Sequence, residues 1–184
     1  MARKDLWPLL QRYFLYFFCY AVIGWCYEVF LEVVIYRWGF TNRGVLFGPY
    51  CPVYGVGAMA FLLCFHRLMA LKQPKWLKFV KPVLVFVGCM AVATAIELAT
   101  SYLLEAITGG WPWQTYVDYK MNFQGRIALS PSIRFGLGGV LFLYLLQPLF
   151  ERLVGLMGDK CRQIVFYITA GILVLDCLYT FLLK

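Results

Sequence analysis

Long apolar runs broken by short polar or basic connections set the pattern of this chain. Crossing the hydrocarbon of a bilayer as a helix takes about 20 mostly apolar residues. Five segments meet that length: Tyr13–Tyr36, Pro52–Leu71, Pro82–Ile107, Ile133–Leu153 and Ile164–Leu183. They predict an all-α fold, a polytopic membrane helix bundle with about five transmembrane helices. No solenoid-type repeat is visible. The connections Arg37–Cys51 and Thr108–Ser132 are rich in Gly, Pro and aromatic residues, whereas Lys72–Lys81 is short and basic. Irregular backbone at membrane depth is tolerated only where it is buried in protein or lines a water-filled space. The two Gly-rich connections are therefore expected to be re-entrant or cavity-lining polar loops.

Composition sharpens this picture. Of the 184 residues, 62% are hydrophobic and 14% charged, against about 25% charged in ordinary soluble domains. The mean hydropathy is +0.73. One integral membrane domain over residues 1–184 is expected, with no room for a soluble domain of ordinary size. The net charge of +8 does not point to nucleic acid, because the basic residues sit in short blocks beside the apolar runs, where topology signals belong. Met1–Pro8 carries charges but leads into a long span without a small-residue cleavage site, which predicts a retained first helix rather than a signal peptide. The seven cysteines form no C-x-x-C pair and no zinc spacing, and most fall inside apolar runs where they act as small hydrophobes. Neither a metal nor a cofactor is expected.

Lysine and arginine near span ends predict orientation. With the N-terminus in the cytoplasm, the inner side holds Arg3, Lys4, Arg12, Arg67, Lys72, Lys75, Lys78, Lys81, Arg152, Lys160 and Arg162. The outer side holds Arg37, Arg43, Lys120, Arg126, Arg134 and Lys184. The excess of eleven over six predicts a multi-pass cell-membrane protein with its C-terminus outside, and puts both Gly-rich connections on the outer side.

Acidic residues interrupt the apolar runs, and the informative ones are Glu28, Glu32, Glu97, Glu105 and Asp176. A carboxylate at the centre of a spanning helix costs about 3 kcal/mol on insertion scales, so it usually faces a protein interior and marks a site. Glu28 and Glu32 share one face of the first helix, and Glu97, Ser101 and Glu105 repeat the spacing on the third. Glu28 and Glu97 lie at matched depth in the outer half of their spans, which is consistent with a cavity open to the outside. For Glu32 and Glu105 the alternative is a simple approach to the outer headgroups. Arg43, in Thr41-Asn42-Arg43-Gly44, and Arg126, in Asn122-Phe123-Gln124-Gly125-Arg126, supply the opposite charge. Guanidinium is a planar fork suited to carboxylate or phosphate, so both read as anion clamps or as structural partners of the acids. Asp118 adds a carboxylate to the second loop. Trp111, Trp113, Tyr116, Tyr119 and Tyr50 read as an interfacial aromatic belt or as ligand walls. His66, the one histidine, lies far from these groups, which disfavours a Ser-His-Asp or Cys-His mechanism. No G-x-x-x-x-G-K-[ST] loop occurs, so the chain carries no P-loop ATPase.

Four motifs in order carry a resemblance. Gly24-Trp25-Cys26-Tyr27-Glu28 is similar to a G-W-x-x-E signature. Asn42-Arg43-Gly44-Val45-Leu46-Phe47-Gly48-Pro49-Tyr50-Cys51-Pro52-Val53-Tyr54-Gly55 is close to N-R-G-x-L-x-G-P-x-x-P-x-Y-G. Glu97 to Glu105 resembles E-x-x-x-S-x-x-x-E, and Asp118-Tyr119 with Asn122 to Leu129 resembles W-D-Y and N-x-x-G-R-x-x-L. Together they resemble the putative ABC-transporter permease family labelled type IV, or CmpB-like, over about Tyr13 to Leu146. Val117 stands where that family's motif has an aromatic.

Three function classes follow. The first is a permease-like protein that binds a small polar, zwitterionic or anionic solute, or a lipid headgroup, in an outward-facing charged cavity. Its expected ligand-binding set is Glu28, Glu32, Asn42, Arg43, Tyr54, Glu97, Ser101, Glu105, Asp118, Asn122 and Arg126. The resemblance implies a separate ATPase, and five spans imply a homodimer or a partner membrane subunit. The second is a membrane-embedded enzyme acting on a lipid or lipid-linked substrate, with Glu28 or Glu97 as general base and arginine as anion clamp. The third is a structural or assembly protein whose polar residues specify helix packing.

Overall fold

A computed structural model describes residues 3–71, 77–111 and 113–183. Helix α1 (Arg3–Phe30) runs into a π-helical turn, Leu31–Ile35. Helices α2 (Pro52–Ala70) and α3 (Leu77–Thr108) follow. A 3-10 turn, Gln114–Asp118, leads to a hairpin of β1 (Asn122–Phe123) and β2 (Ile127–Ala128). Helix α4 (Leu129–Leu141) continues through a π-helical turn, Phe142–Leu146, into α5 (Gln147–Leu156). Helix α6 (Asp159–Leu178) ends in a third such turn, Tyr179–Leu183.

Five stretches are long and apolar enough to cross a membrane: Leu6–Ile35, Pro52–Ala70, Leu77–Ile107, Leu129–Leu156 and Asp159–Leu182. This is the all-α membrane helix bundle that the apolar pattern predicts. Four helices start earlier than the apolar runs alone indicate. The first turns of α1, α3 and α6 carry charges suited to a membrane edge, and Pro8, Pro82 and Pro131 fall within two turns of a helix start, where a missing N–H removes few helical hydrogen bonds. Lys72, Lys75 and Lys184, counted above for orientation, lie outside the described residues.

Two basic residues expected among the inner topology charges are instead packed inside. Lys81 is 2% exposed, and its Nζ donates to the Met69 carbonyl at 2.8 Å, which neutralises the free carbonyl end of α2. Arg162 is 3% exposed and donates to Asp159 Oδ1 at 2.7 Å and to Gln11 Oε1 at 3.3 Å. Both act as helix-end cations as much as topology signals.

The chain divides into two compact units: Met1–Met59 with Gln147–Lys184, and Ala60–Leu146. In the first unit, Ala21, Leu46 and Tyr50 form a buried core with Phe18, Val22, Leu173 and Cys177 against it. Tyr20 donates to Gln147 Oε1 at 2.9 Å and ties α1 to α5. In the second unit, α3 packs closely on α4. A Cβ at Gly136 would strike Phe86, and one at Gly139 would strike Cys89. Thr94 Oγ1 donates to Ser132 Oγ at 2.7 Å across the same seam. Lipid is as apolar as the side chains, so helices associate through such close approach and interhelical hydrogen bonds rather than through exclusion of water.

Candidate functional site

Each unit builds a polar cluster from a spanning helix and the loop that follows it. In the first unit, the π-helical turn at the end of α1 carries Glu32, which is 3% exposed. Four donor contacts fill its carboxylate. Thr41 Oγ1 donates at 2.5 Å and Thr41 N at 3.3 Å. Arg43 Nε donates to Oε2 at 2.9 Å, and Arg43 Nη2 reaches Oε1 at 2.8 Å. This is a two-pronged guanidinium–carboxylate pair, the strongest geometry available to these groups.

One turn earlier, Glu28 accepts a hydrogen bond from the Tyr54 hydroxyl. Gly24 makes that possible: a Cβ there would collide with the Tyr54 ring, so glycine leaves the slot through which the ring reaches Glu28 four residues on. Trp25 Nε1 donates to Asn42 Oδ1 at 2.8 Å, and Asn42 Nδ2 donates to the Phe47 carbonyl at 2.8 Å and to the Leu46 carbonyl at 3.3 Å. Asn42 is thus a brace inside the loop.

Asp176 of α6 clamps the rest of that loop. It accepts from Phe47 N at 3.0 Å, Gly48 N at 2.7 Å, Thr180 Oγ1 at 3.0 Å and the Tyr50 hydroxyl. Burial raises the Tyr50 phenol above its ordinary pKa, and the bond to Asp176 adds to the rise. Burial also raises the Cys51 thiol, with a further push from Glu28 against a pull from Arg43. A cavity of about 230 Å³ beside the loop is lined by Asn42, Gly44, Val45, Leu46, Phe47, Tyr179 and Thr180, without an ionised side chain.

In the second unit the hairpin delivers Arg126. Gln124 (φ 55°) and Gly125 (φ 65°) occupy the two central positions of a turn closed by Arg126 N to Phe123 O at 3.0 Å. Positive φ at both positions is the mirror-image turn that matches strand twist. A Cβ on Gly125 would also strike Val117, so the small side chain at 117 and the glycine fit each other. Asn122 fixes the loop by donating to the Tyr119 carbonyl at 2.7 Å and the Val117 carbonyl at 3.3 Å, while accepting from Gly125 N at 2.9 Å. Trp113 Nε1 donates to the Arg126 carbonyl at 2.8 Å, and Trp111 Nε1 to the Gly125 carbonyl at 3.3 Å.

The Arg126 side chain is 9% exposed. Its Cζ lies 4.1 Å from the Tyr102 ring centroid and 4.0 Å from that of Trp111, both within cation–π range. Nη2 alone binds a carboxylate, that of Glu105, whose own side chain is 43% exposed. Nε and Nη1 are buried and have no hydrogen-bond partner among the described residues. Two turns earlier on α3, Glu97 Oε1 accepts from the Tyr116 hydroxyl at 2.9 Å, and its Oε2 is likewise buried and unpartnered. Burial, with Glu97 beside it, raises the Tyr116 phenol above its ordinary pKa.

The acids nearer the loops hold the arginines: Arg43 takes Glu32 and Arg126 takes Glu105, whereas Glu28 and Glu97 are met by tyrosines. Ser101, wholly buried, donates into its own helix at the Leu98 carbonyl, 2.7 Å away. Asp118 is exposed on the 3-10 turn. The aromatics read as a belt also work inside the protein, since Trp111, Trp113, Tyr116 and Tyr50 all bond to loop or helix groups. Two participants escaped the sequence reading. Thr41 directly precedes Asn42-Arg43, and Tyr102 stands three residues before Glu105 on the same helix face. Among the described residues, no group of three or more His, Cys, Asp or Glu side chains is placed to hold a metal ion.

No curated protein matches the chain, and no solved structure does. A family model described as Putative ABC-transporter type IV matches residues 15–181. That range covers both clusters and all or most of each of the five membrane-length helices, so the chain is a multi-pass membrane protein and belongs to the putative ABC-transporter type IV family.

Proposed function

We propose that the chain is the membrane-spanning component of a permease, binding a small polar, zwitterionic or anionic solute or a lipid headgroup at charged groups near one membrane face. The observation that carries this reading is the unspent polar capacity of the second unit: Arg126 Nε and Nη1 and Glu97 Oε2 are buried without partners among the described residues. Leaving a buried polar atom unmade costs about 1–3 kcal/mol, more for a charged group. A solute that supplied the missing partners would convert that cost into affinity. Helix packing alone gives no reason to retain it. Family membership points the same way.

Alternating access in a bundle of five spans calls for a homodimer or a second membrane subunit. An ATP-driven cycle calls for a separate ATPase, because this chain has no phosphate-binding P-loop. Mass spectrometry of the gently extracted protein would identify the solute it carries. Exchange of that solute, labelled, across the wall of liposomes holding the protein then tests transport. A bound solute that crosses only in protein-containing liposomes supports the permease. A solute that binds and is never moved, or is converted chemically, refutes it.

A further inference from the structure

The two units offer an internal comparison. In each, an arginine in the loop after a spanning helix binds a glutamate near that helix's end. In the first unit the pair is closed. Glu32 receives four donor contacts, its side chain is 4% exposed, and Arg43 spends Nε and Nη2 on it. The Arg43 side chain is 34% exposed, so its other donors are open to the surroundings. In the second unit the pair is open. Glu105 is held through one guanidinium nitrogen and is 43% exposed, while Arg126 is 9% exposed with two nitrogens unserved. The rings of Tyr102 and Trp111 lie about 4 Å from Cζ, within cation–π range, and accept no hydrogen bond from Nε or Nη1. The N–H groups of both nitrogens require an acceptor.

We propose that Arg126 is a binding site for an oxyanion, a carboxylate or phosphate group, and that Glu105 is its displaceable internal occupant. The proposal deepens the permease reading and rests on it for its setting. Glu105 is the member free to leave, because its far side is already in contact with solvent or headgroups. The incoming oxyanion replaces one negative charge with another, so the buried guanidinium is never left uncompensated. Guanidinium geometry suits a planar or tetrahedral oxyanion better than a halide. Tyr102 and Trp111 hold the fork in place, which lowers the ordering cost of binding. Exchange of an internal for an external carboxylate or phosphate is also a way to sense that a solute has arrived.

The test uses the full chain. Thermal stability of the detergent-purified protein is followed against inorganic phosphate at constant ionic strength, with chloride as the balancing anion. A parallel series uses phosphatidic acid in mixed micelles. A rise in Tm with phosphate assigns a free oxyanion, and a rise with phosphatidic acid alone assigns a lipid headgroup; either supports the proposal. Glu105→Gln removes the competing charge and should bind the effective probe about tenfold more tightly, the value of one charged hydrogen bond. Arg126→Lys should abolish the response, and Lys120→Ala, at an exposed cation nearby, should leave it unchanged. No response to either probe, an unchanged response in Arg126→Lys, or weaker binding in Glu105→Gln would overturn the proposal. If Arg126→Lys does not fold, the sign of the Glu105→Gln effect decides. A cationic or neutral solute carried by the protein, with no oxyanion response, overturns this site and leaves the permease reading standing. An oxyanion response without solute movement does the reverse.

Discussion

Tyr54 donates its hydroxyl hydrogen bond to Glu28, and Gly24 leaves the room in which its ring lies. Two residues one turn apart on α1 and a third from α2 therefore form one device that supports a carboxylate inside an apolar helix. Tyr54→Phe strips Glu28 of that donor and should cost about 1–3 kcal/mol. Gly24→Ala overpacks the slot and should cost a similar amount. Because both act on one contact, the double variant should lose less than the sum of the two, as measured by thermal unfolding in detergent. Full additivity would separate the glycine from the tyrosine.

The two Glu–Arg pairs should respond unequally to neutralisation. Glu32→Gln disrupts a buried, four-contact acceptor and should lower Tm clearly. Glu105→Gln removes one contact of a half-exposed acid but leaves the buried Arg126 guanidinium without its counter-charge, so it should cost about 1–3 kcal/mol and still less than Glu32→Gln. Thermal shifts of the two variants, side by side, check the ranking, and a larger loss at Glu105 would reverse it.

How the arginines choose their acids was not legible in the sequence. The membrane class and the five spans were, because apolar runs of about 20 residues carry that signal directly. The acids stood out because charge inside an apolar run is rare, and the two arginines because each offers the opposite charge from a Gly-rich loop. Pairing depends on loop geometry that residue types do not announce. Arg126 is aimed by a turn with Gln124 at positive φ, a conformation that few residues other than glycine adopt. Glu32 is presented by a π-helical turn that nothing in its local composition signals. Lys81 and Arg162 look like surface topology charges in the sequence, and only the packing reveals them as buried cations at helix ends.

Asp176 should govern the order of the loop it clamps. Asp176→Asn retains the shape but weakens acceptance from the Phe47 and Gly48 amides and the Tyr50 hydroxyl. Amide hydrogen exchange at Phe47 and Gly48 should accelerate while α1 and α3 keep their protection. Unchanged exchange would show that the loop holds itself.

Tyr116 gives a pH dependence with a definite sign. Its folded pKa lies above the ordinary phenol value of about 10, through burial first and Glu97 second. A raised pKa means the neutral phenol is favoured by folding. Its contribution is therefore complete below about pH 10 and is lost as pH climbs through the folded value. The stability gap between wild type and Tyr116→Phe should be flat from pH 7 to pH 10 and close only above that. A gap that shrinks between pH 7 and pH 9 would contradict the assignment.

Orientation can be read in intact cells. In a cysteine-depleted background, thiols introduced at Gln114 and Lys120 should react with a membrane-impermeant reagent, and one at Gln73 should not. The opposite pattern would place the second loop in the cytoplasm.

The central claim is that the charged groups of the second unit bind a solute rather than only pack the helices. It is tested most directly by native mass spectrometry of wild type, Arg126→Lys and Glu97→Gln, extracted identically and matched for thermal stability. The account predicts a polar species bound to the wild-type chain and absent from folded Arg126→Lys, with occupancy reduced in Glu97→Gln. The same bound species in all three, or none in the wild type, would contradict it.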